Sequence, residues 1–321
     1  MSTQYDPLDC EFPLPLQGTY YPMGAPVHLA TNSKDILAVA ERMWSRYPTS
    51  SGGFPVVFRV LVEDRDSLDP VKPSMPKAQG HLLSIVHGPD NFAICDLSAS
   101  FGFARLTQNV ARDGTYVRYH FLEQTVHTMA AARHFCPVHA SCVALNGRAV
   151  LLCGDSGAGK TSLAYACARL GWTYLADDAT YILRNQLEPT VAGRPFFIRF
   201  RSEATALFPE LSVHKPEWRP NGKLDLEIDT DELGLKVALE SKAGGVVFLN
   251  RKNHPVKARV TSFPRGEALL QFSRVVCYGD QRTRDAQRRV LWGLMELPVT
   301  ELTYSDFDGA ERALRELVAN G

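Results

Sequence analysis

The stretch VLLCGDSGAGKTSLAYACARLG, residues 150–171, determines how the rest of the chain is interpreted. It holds a complete G-x-x-x-x-G-K-[ST] pattern, Gly154–Thr161, between an apolar strand-like run and a run of helix-forming residues. We call Gly154–Thr161 the glycine-rich loop. Glycines let consecutive backbone N–H groups turn toward phosphate oxygens, and the following helix adds the partial positive charge of its N-terminus. The pattern predicts a site for a nucleoside triphosphate or a related polyphosphate.

The side chains of this loop have expected roles. Lys160 is predicted to reach the β- and γ-phosphates, and Thr161 is predicted to ligate Mg²⁺. We expect ATP as the nucleotide and Mg²⁺ as the metal cofactor. The residues expected to bind the nucleotide are Gly154, Asp155, Ser156, Gly157, Ala158, Gly159, Lys160, Thr161 and Ser162.

Two adjacent aspartates follow in LADDATY, residues 175–181. The intervening length fits one helix, a turn at Gly171 and a strand, WTYLADDATYIL. Asp177 and Asp178 are therefore predicted at the carboxyl edge of the sheet, where α/β folds bind ligands. Successive strand residues point to opposite faces, so one carboxylate can face Thr161 and Mg²⁺ while the other faces an acceptor hydroxyl. The alternative is a pair of aspartates that is simply solvated in a turn.

Three motifs together resemble the core of the HPr kinase/phosphorylase family, whose fold is shared with the phosphoenolpyruvate carboxykinases. They are a histidine that opens the hairpin before the loop, His139, the sequence GDSGxGKT, and the ADD strand end. The resemblance covers roughly residues 137–185. It implies that Asp177 is the base for the acceptor hydroxyl, that Asp178 is a metal-side carboxylate, and that His139 contacts or tunes the phosphate. A hydrogen-bonded core histidine is the alternative for His139.

The chain departs from this family beyond the aspartates. The family's Glu-Ile-Arg-Gly signature is replaced by GRPFFIRFRSE, in which Arg199 or Arg201 could clamp a phosphate. The proline-glycine-arginine-asparagine loop linked to phosphorolysis is absent, and the N-terminal region differs from that of the family. These differences indicate a divergent member. The resemblance also implies a homo-oligomer, a hexamer in the family.

Hydrophobic periodicity and the resemblance together predict an α/β fold, with a P-loop kinase domain of the HPr kinase/phosphoenolpyruvate carboxykinase type preceded by a smaller α+β domain. Asn-Gly at 146–147 predicts a hairpin directly before the glycine-rich loop. The expected organisation is an irregular segment over 1–26, the small α+β domain over 27–115, a connecting helix over 116–136, and the kinase-like domain over 137–321.

Composition narrows the function classes. The 321 residues are 45% hydrophobic, and 35 Lys and Arg balance 35 Asp and Glu, so no charge bias favours nucleic acid or a membrane surface. The apolar runs are too short for a transmembrane helix, and the N-terminus lacks the features of a signal peptide. Seven cysteines without CxxC spacing (10, 95, 136, 142, 153, 167 and 277) predict reduced thiols in the cytoplasm.

Three further groups of residues have two interpretations each. One predicted helix carries polar residues on roughly one face, either a metal site or, as we favour, a polar stripe: His120, Glu123, His127 and His134. Asp225, Glu227 and Asp229 share a strand face that could contact a basic acceptor or a second metal, although a solvated face is favoured. The basic runs NRKNHPVKAR and GDQRTRDAQRRV could recognise an acidic substrate or a phosphate, with Arg282 or Arg284 as candidates.

The sequence thus predicts an ATP- and Mg²⁺-dependent kinase that transfers the γ-phosphoryl group to a hydroxyl, either a serine in a protein or peptide or a small molecule. One alternative is a small-molecule kinase of the shikimate-kinase type. Those chains also place an aspartate at the next strand end, but they begin with the phosphate loop. Another alternative is a nucleotide-sensing module that binds ATP without transferring phosphate. The acceptor stays open.

Overall fold

The structure is a computed structural model that describes residues 12–50, 52–67, 73–220, 222–274 and 279–319. Cys10, Cys277 and the start of the segment predicted to be irregular lie outside these residues. The fold is mixed α/β with several sheets. It divides into two compact units, Met1–Phe135 with Cys277–Asp285, and Cys136–Val276 with Ala286–Gly321. Among the described residues, no helix is long and apolar enough to cross a membrane.

The first unit is built on a seven-stranded sheet with the order β1-β2-β3-β7-β6-β5-β4. Its strands are β1 (Leu16–Tyr20), β2 (Val27–Thr31), β3 (Val56–Glu63), β4 (Lys77–Gln79), β5 (Leu82–Val86), β6 (Phe92–Asp96) and β7 (Phe101–Thr107). In β3 the buried residues alternate with half-buried ones, because successive side chains point to opposite faces of the sheet. The side of β3 that carries its buried residues therefore faces the core of the unit.

Helices supply the rest of that core. The helices are α1 (Lys34–Trp44), α2 (Gln108–Arg112), α3 (Gly114–Tyr116) and α4 (Glu123–Arg133), with a 3₁₀ turn at Pro22–Gly24. A π-helical segment, Val117–Leu122, joins α3 to α4. The apolar residues of α1, including Ile36 and Ala40, are buried.

The segment expected to be irregular up to residue 26 contains a strand. β1 pairs antiparallel with β2, so that Leu16 lies opposite Thr31 at one end of the ladder and Tyr20 lies opposite Val27 at the other. Its proline, glycine and tyrosine content suggested irregular chain, but the backbone of Leu16–Tyr20 is held by the ladder with its neighbour. The prediction of irregular structure is wrong for these residues.

The second unit contains a nine-stranded sheet around one long central strand. Its strands are β8 (Phe135–Val138), β9 (Ala140–Leu145), β10 (Arg148–Cys153), β11 (Thr173–Ala176), β12 (Thr180–Leu183), β13 (Thr190–Ala192), β17 (Glu240–Arg251), β18 (Arg259–Ser262) and β19 (Val299–Tyr304). β17 pairs in parallel with β10 on one side and with β19 on the other. The carboxyl ends of these three strands therefore lie at one edge of the sheet, the edge at which β10 leads into the glycine-rich loop.

Apolar clusters cover both faces of this sheet. In β10, Val150 and Leu152 belong to one cluster and Leu151 to the other, because all lie on a strand that is buried on both sides. The helices of the unit are α5 (Lys160–Arg169), α6 (Arg265–Ser273), α7 (Gln281–Leu294, in this unit from Ala286 onward) and α8 (Phe307–Ala319), with 3₁₀ turns at Ser202–Ala206 and Pro209–Val213. Asn146 and Gly147 both have positive φ, as the predicted hairpin requires.

A small antiparallel sheet completes the second unit. It has the order β14-β16-β15, with β14 (Phe197–Arg201), β15 (Glu217–Trp218) and β16 (Leu224–Asp229). Ile198, Phe200 and Leu226 are buried on its apolar face. Arg199 and Glu227, which are cross-strand partners, belong to the opposite set of positions. The sheet therefore has one apolar face and one charged face.

The run WTYLADDATYIL, predicted as one strand, forms two. β11 ends at Ala176 and pairs with β9, whereas β12 begins at Thr180 and pairs with β13. Between them Asp178 has φ of 59°, a left-handed conformation that ends a ladder, and the amide of Ala179 donates to the carbonyl of Asp177 at 2.6 Å. The aspartates do follow a strand end, as predicted, but the chain turns at that point.

Candidate functional site

The glycine-rich loop depends on glycine at specific positions. Gly154, Gly157 and Gly159 have φ values of 145°, 89° and 93°, which L side chains rarely adopt. A Cβ atom on Gly154 would lie 2.9 Å from the Cβ of Ala158, and one on Gly159 would lie 2.8 Å from the hydroxyl of Tyr304. Both the backbone conformation and the close neighbours therefore require glycine at positions 154 and 159.

Lys160 begins helix α5 and its side chain is buried at 6% exposure. Its ammonium group donates to the carbonyls of Gly154 at 2.9 Å and Asp155 at 3.3 Å. These contacts hold the positive charge inside the curve of the glycine-rich loop, where a bound phosphate would replace or share the carbonyl partners. The ammonium group of Lys160 therefore lies against the backbone of the glycine-rich loop, and its predicted role stays a prediction.

Asp177 is a partly buried carboxylate with three donors. Its Oδ1 accepts from the hydroxyl of Thr161 at 2.6 Å and from that of Ser141 at 3.3 Å, and its Oδ2 accepts from the backbone N–H of Arg199 at 3.1 Å. Burial raises the pKa of Asp177 to about 6, and the adjacent charge of Asp178 adds to the rise, while the Thr161 hydrogen bond opposes it. A raised pKa means that this site would favour a nearby cation.

Asp178 and His139 form a second, more exposed group. The Nδ1 atom of His139 lies 3.1 Å from the carbonyl oxygen of Asp178 and 3.3 Å from its carboxylate, and the Asp178 side chain is 68% exposed. In the structure it is Asp177, rather than Asp178, whose side chain contacts Thr161. The turn at Asp178 causes this separation, since its left-handed backbone rotates the second carboxylate away from the loop.

The two arginines considered as phosphate clamps differ in their partners. Arg201 donates from Nη2 to the hydroxyl of Ser156 at 2.7 Å, so its guanidinium reaches the glycine-rich loop. Arg199 donates from Nε to Glu227 at 2.6 Å, and its backbone contacts Asp177. Arg201 is therefore the better placed of the two to contact a phosphate in the loop.

Three residues of the site were not predicted individually from the sequence. Ser141 lies on β9 and donates to Asp177, while Tyr304 ends β19 and donates to the carbonyl of Ala158 at 3.3 Å. Arg251 ends β17, and its Cδ atom would lie 3.7 Å from a Cβ on Gly159. Arg251 belongs to the basic run NRKNHPVKAR, and its position after an apolar strand is the sequence signal that could have identified it.

The other predicted groups belong to different parts of the fold. His120, Glu123 and His127 are buried in the first unit, where Glu123 accepts from Nε of Arg118 at 2.8 Å. Arg282 and Arg284 also belong to that unit. The preference for a solvated face at Asp225, Glu227 and Asp229 is wrong for Glu227, because its side chain is only 8% exposed and pairs with Arg199.

The five cysteines within the described residues are all free and buried, as expected for reduced thiols: Cys95, Cys136, Cys142, Cys153 and Cys167. Burial raises the pKa of Cys153, which precedes the glycine-rich loop, to about 12. This thiol is therefore a packing residue and a poor nucleophile.

The residues around Asp177 fit a magnesium ion that is shared with a nucleotide. Within the described residues there is no cluster of three or more His, Cys, Asp or Glu side chains able to hold a metal on its own. Mg²⁺ in nucleotide sites does not need one, because it takes one or two protein oxygens together with phosphate oxygens and water. The Thr161 hydroxyl and the Asp177 carboxylate, 2.6 Å apart, are a donor set of that kind.

Comparisons with known proteins give limited similarity. A family model described as "SynChlorMet cassette protein ScmC" matches residues 104–195, less than half of the chain. No curated protein matches. Among solved structures, the chain is similar to "Structure of the Hpr(Ser) kinase/phosphatase from Coxiella burnetii", with 13% identity and a TM-score of 0.30, over 57% of this chain and 91% of that one. This is a weak similarity at the level of the fold.

Proposed function

We propose that the protein is an ATP- and Mg²⁺-dependent kinase that transfers the γ-phosphoryl group to a hydroxyl, in a protein, a peptide or a small molecule. The observation that carries the proposal is the 2.6 Å hydrogen bond from Thr161 to Asp177, directly beside the three positive-φ glycines and Lys160. A phosphate loop alone would support nucleotide binding. A carboxylate held against the metal-ligating hydroxyl supports phosphoryl transfer, which needs charge neutralisation at the γ-phosphate.

The contacts favour an exchange of the two aspartate roles that the sequence predicts. Asp177, which touches Thr161, would act on the metal side. Asp178, exposed and paired with His139 at 3.3 Å, would face the acceptor and receive its proton. Arg201 and Lys160 would contact the transferred phosphate, and Mg²⁺ would neutralise charge on the β- and γ-phosphates when it is bound.

Binding is tested by titrating the protein with ATP at several Mg²⁺ concentrations in a calorimeter. Lys160→Ala should weaken ATP binding by at least about 30-fold, because a buried charge-assisted contact of roughly 2 kcal/mol or more is lost. The exposed Lys236→Ala is the matched control and should bind as the wild type does. Equal affinities for the two variants would exclude a nucleotide in the glycine-rich loop.

Transfer is tested with γ-labelled ATP and a cell extract. A labelled protein band or a labelled metabolite supports a kinase and identifies its acceptor class, whereas binding without transfer supports the nucleotide sensor instead. Asp178→Asn should lower transfer by about 100-fold or more with ATP affinity retained, as for loss of a general base. Asp177→Asn should raise the Mg²⁺ concentration needed for binding. The reverse pattern would restore the assignment made from the sequence.

A further inference from the structure

The charged face of the small sheet β14-β16-β15 begins at the candidate site. We call the side chains of Arg199, Arg201, Arg219 and Glu227 the arginine face. Arg201 reaches Ser156 of the glycine-rich loop, and the backbone N–H of Arg199 is bound to Asp177. The opposite face of the same sheet is buried in the core, which fixes the charged face in place.

Arg219 is the member of this face whose hydrogen bonding is incomplete. Its side chain is only 9% exposed, and its Nε atom is buried without a hydrogen-bond partner among the described residues. Two carboxylates approach its Nη1 atom, Glu227 at 3.9 Å and Glu217 at 4.0 Å, both at the outer limit of an ion pair. A buried guanidinium N–H without a partner is costly, so the geometry leaves a donor available to an anion.

The nearby carboxylates do not complete that bonding. Glu227 accepts a close 2.6 Å hydrogen bond from Arg199, which orients its carboxylate toward that residue. Glu217 has a side chain that is 72% exposed, so water competes for it. Arg219 is therefore linked to the candidate site through Glu227 and Arg199, whose backbone N–H is bound to Asp177. Guanidinium groups bind carboxylates and phosphates through two parallel N–H bonds.

We propose that the arginine face binds an anionic group of the acceptor, a carboxylate or a phosphate carried close to the hydroxyl that is phosphorylated. The inference rests on the proposed function and adds the class of acceptor. A neutral hydroxyl compound would leave the Nε donor of Arg219 without a partner and would be a poor substrate, because a site built to bind a charged group discriminates against analogues that lack it.

The test uses inorganic phosphate as the probe, with the glycine-rich loop filled by a non-hydrolysable ATP analogue and Mg²⁺. Binding of labelled phosphate is measured by equilibrium dialysis. The wild type should retain one phosphate site under these conditions, and Arg219→Gln should weaken it by at least about tenfold. Arg312→Gln, an exposed arginine on α8, is the matched control and should leave it unchanged. A phosphate site that Arg219→Gln does not weaken, or no site at all, would overturn the inference.

A second variant and a competition experiment complete the test. Arg219→Lys retains the charge but removes the Nε donor, so it should weaken binding to an intermediate degree, and it replaces Arg219→Gln if that variant does not fold. Competition by acetate distinguishes a carboxylate site from one selective for phosphate. If the ATP analogue itself does not bind, the proposed function fails separately. The phosphate titration of Lys160→Ala without nucleotide then still reports on Arg219.

Discussion

Two groups of buried ionisable side chains, one in each unit, differ in what surrounds them. In the second unit Asp177 is held by two hydroxyls and a backbone N–H, next to the glycine-rich loop. In the first unit His87 and His120 lie edge to face, with ring centroids 4.9 Å apart, among aromatic rings that include Phe121. Burial disfavours the charged form of the side chain in both groups, and the hydrogen bond from Thr161 partly offsets this cost at Asp177.

The side chains of the histidine pair, His87 and His120, are more deeply buried than that of Asp177. His87 is fully buried and bonds to the hydroxyl of Tyr116 at 2.7 Å, and His120 lies in the π-helical segment Val117–Leu122. The Nε2 atoms of both rings are buried without hydrogen-bond partners among the described residues. Burial, together with a smaller contribution from the neighbouring His87, lowers the pKa of His120 to about 4. Neutral rings are therefore part of the packing of this unit.

These environments give opposite pH dependence over the same range. The pKa of Asp177 is raised in the folded state to about 6, so the folded chain holds more protons than the unfolded one between about pH 4 and 6, and stability falls as pH rises. The pKa of His120 is lowered to about 4, so the unfolded chain holds more protons between about pH 4 and 6.5, and stability falls as pH falls. The pH dependence of stability can thus distinguish Asp177 from the histidine pair.

The largest expected effect comes from the backbone of the glycine-rich loop. Gly159→Ala forces a side chain into φ of 93° and brings its Cβ to 2.8 Å from the Tyr304 hydroxyl, so the loop must deform. We expect ATP affinity to fall by about 100-fold or more, equivalent to roughly 3 kcal/mol. Gly171→Ala is the control, since Gly171 has φ of 89° but no atom within 4 Å of its Cβ.

The comparison between these two glycines separates the effect of the close contact with Tyr304 from the effect of backbone strain, because both have positive φ but only Gly159 has that neighbour. Gly171→Ala should destabilise the fold by about 1–2 kcal/mol through its backbone alone and leave ATP affinity within about twofold. Calorimetric ATP titration and thermal unfolding of both variants measure the two effects. Equal loss of affinity in both variants would show that global stability, and not the shape of the loop, controls binding.

The next largest effect concerns the histidine pair. His120→Phe removes the ionisable ring but keeps an aromatic side chain of similar size in the cluster. Between pH 7 and 4.5 the wild type should lose about 2–3 kcal/mol of protection in the first unit, whereas the variant should lose clearly less. Hydrogen exchange of peptides from β5 and the π-helical segment measures this. His28→Gln, an exposed histidine on β2, should titrate like the wild type.

A smaller effect of opposite sign is expected at Asp177. Asp177→Asn can keep its neighbours, because the amide oxygen accepts from Arg199 N–H and the hydroxyls of Thr161 and Ser141 can accept from the amide nitrogen. Above pH 6 and without ligand, the variant should be more stable than the wild type by about 1–2 kcal/mol, less than the full pKa shift implies because the side chain is partly solvated. Below pH 4 the two should unfold alike. Denaturant titration from pH 4 to 8 measures the difference, and a constant difference would refute a raised pKa.

Local sequence patterns predict the elements that adjoin the glycine-rich loop, but not the residues that come to the site from far along the chain. The strand before the glycine-rich loop, the helix after it and the turn at Asn146-Gly147 follow from local pattern, and each lies where predicted. The break at Asp178 was missed, because the apolar residues on both sides continue the pattern of a single strand. Nothing local to Gly159 indicates Tyr304, since its position depends on the parallel pairing of β17 with β19 across a long separation in the chain.

The histidine pair shows the same limit in the first unit. The pattern on one helix predicts a shared face for His120, Glu123 and His127, but it does not reveal His87, which follows strand β5 and approaches the helix through tertiary packing. The metal interpretation and the polar stripe were both built on helical spacing alone. The contacts of the folded chain instead pair His120 with an imidazole from the sheet.

The smallest expected effect is at Arg251, a charged and exposed residue next to the glycine-rich loop. Its guanidinium lies 5.1 Å from the ring centroid of Phe307, and its Cδ is close to Gly159. Arg251→Gln should weaken ATP binding about fivefold, near 1 kcal/mol, with stability almost unchanged, since the contact is partly solvated. The loss should diminish as salt rises, because screening weakens exposed charges first. Arg259→Gln, on β18, is the matched control, and an affinity loss independent of salt would mean that Arg251 acts by packing on Phe307 and not by its charge.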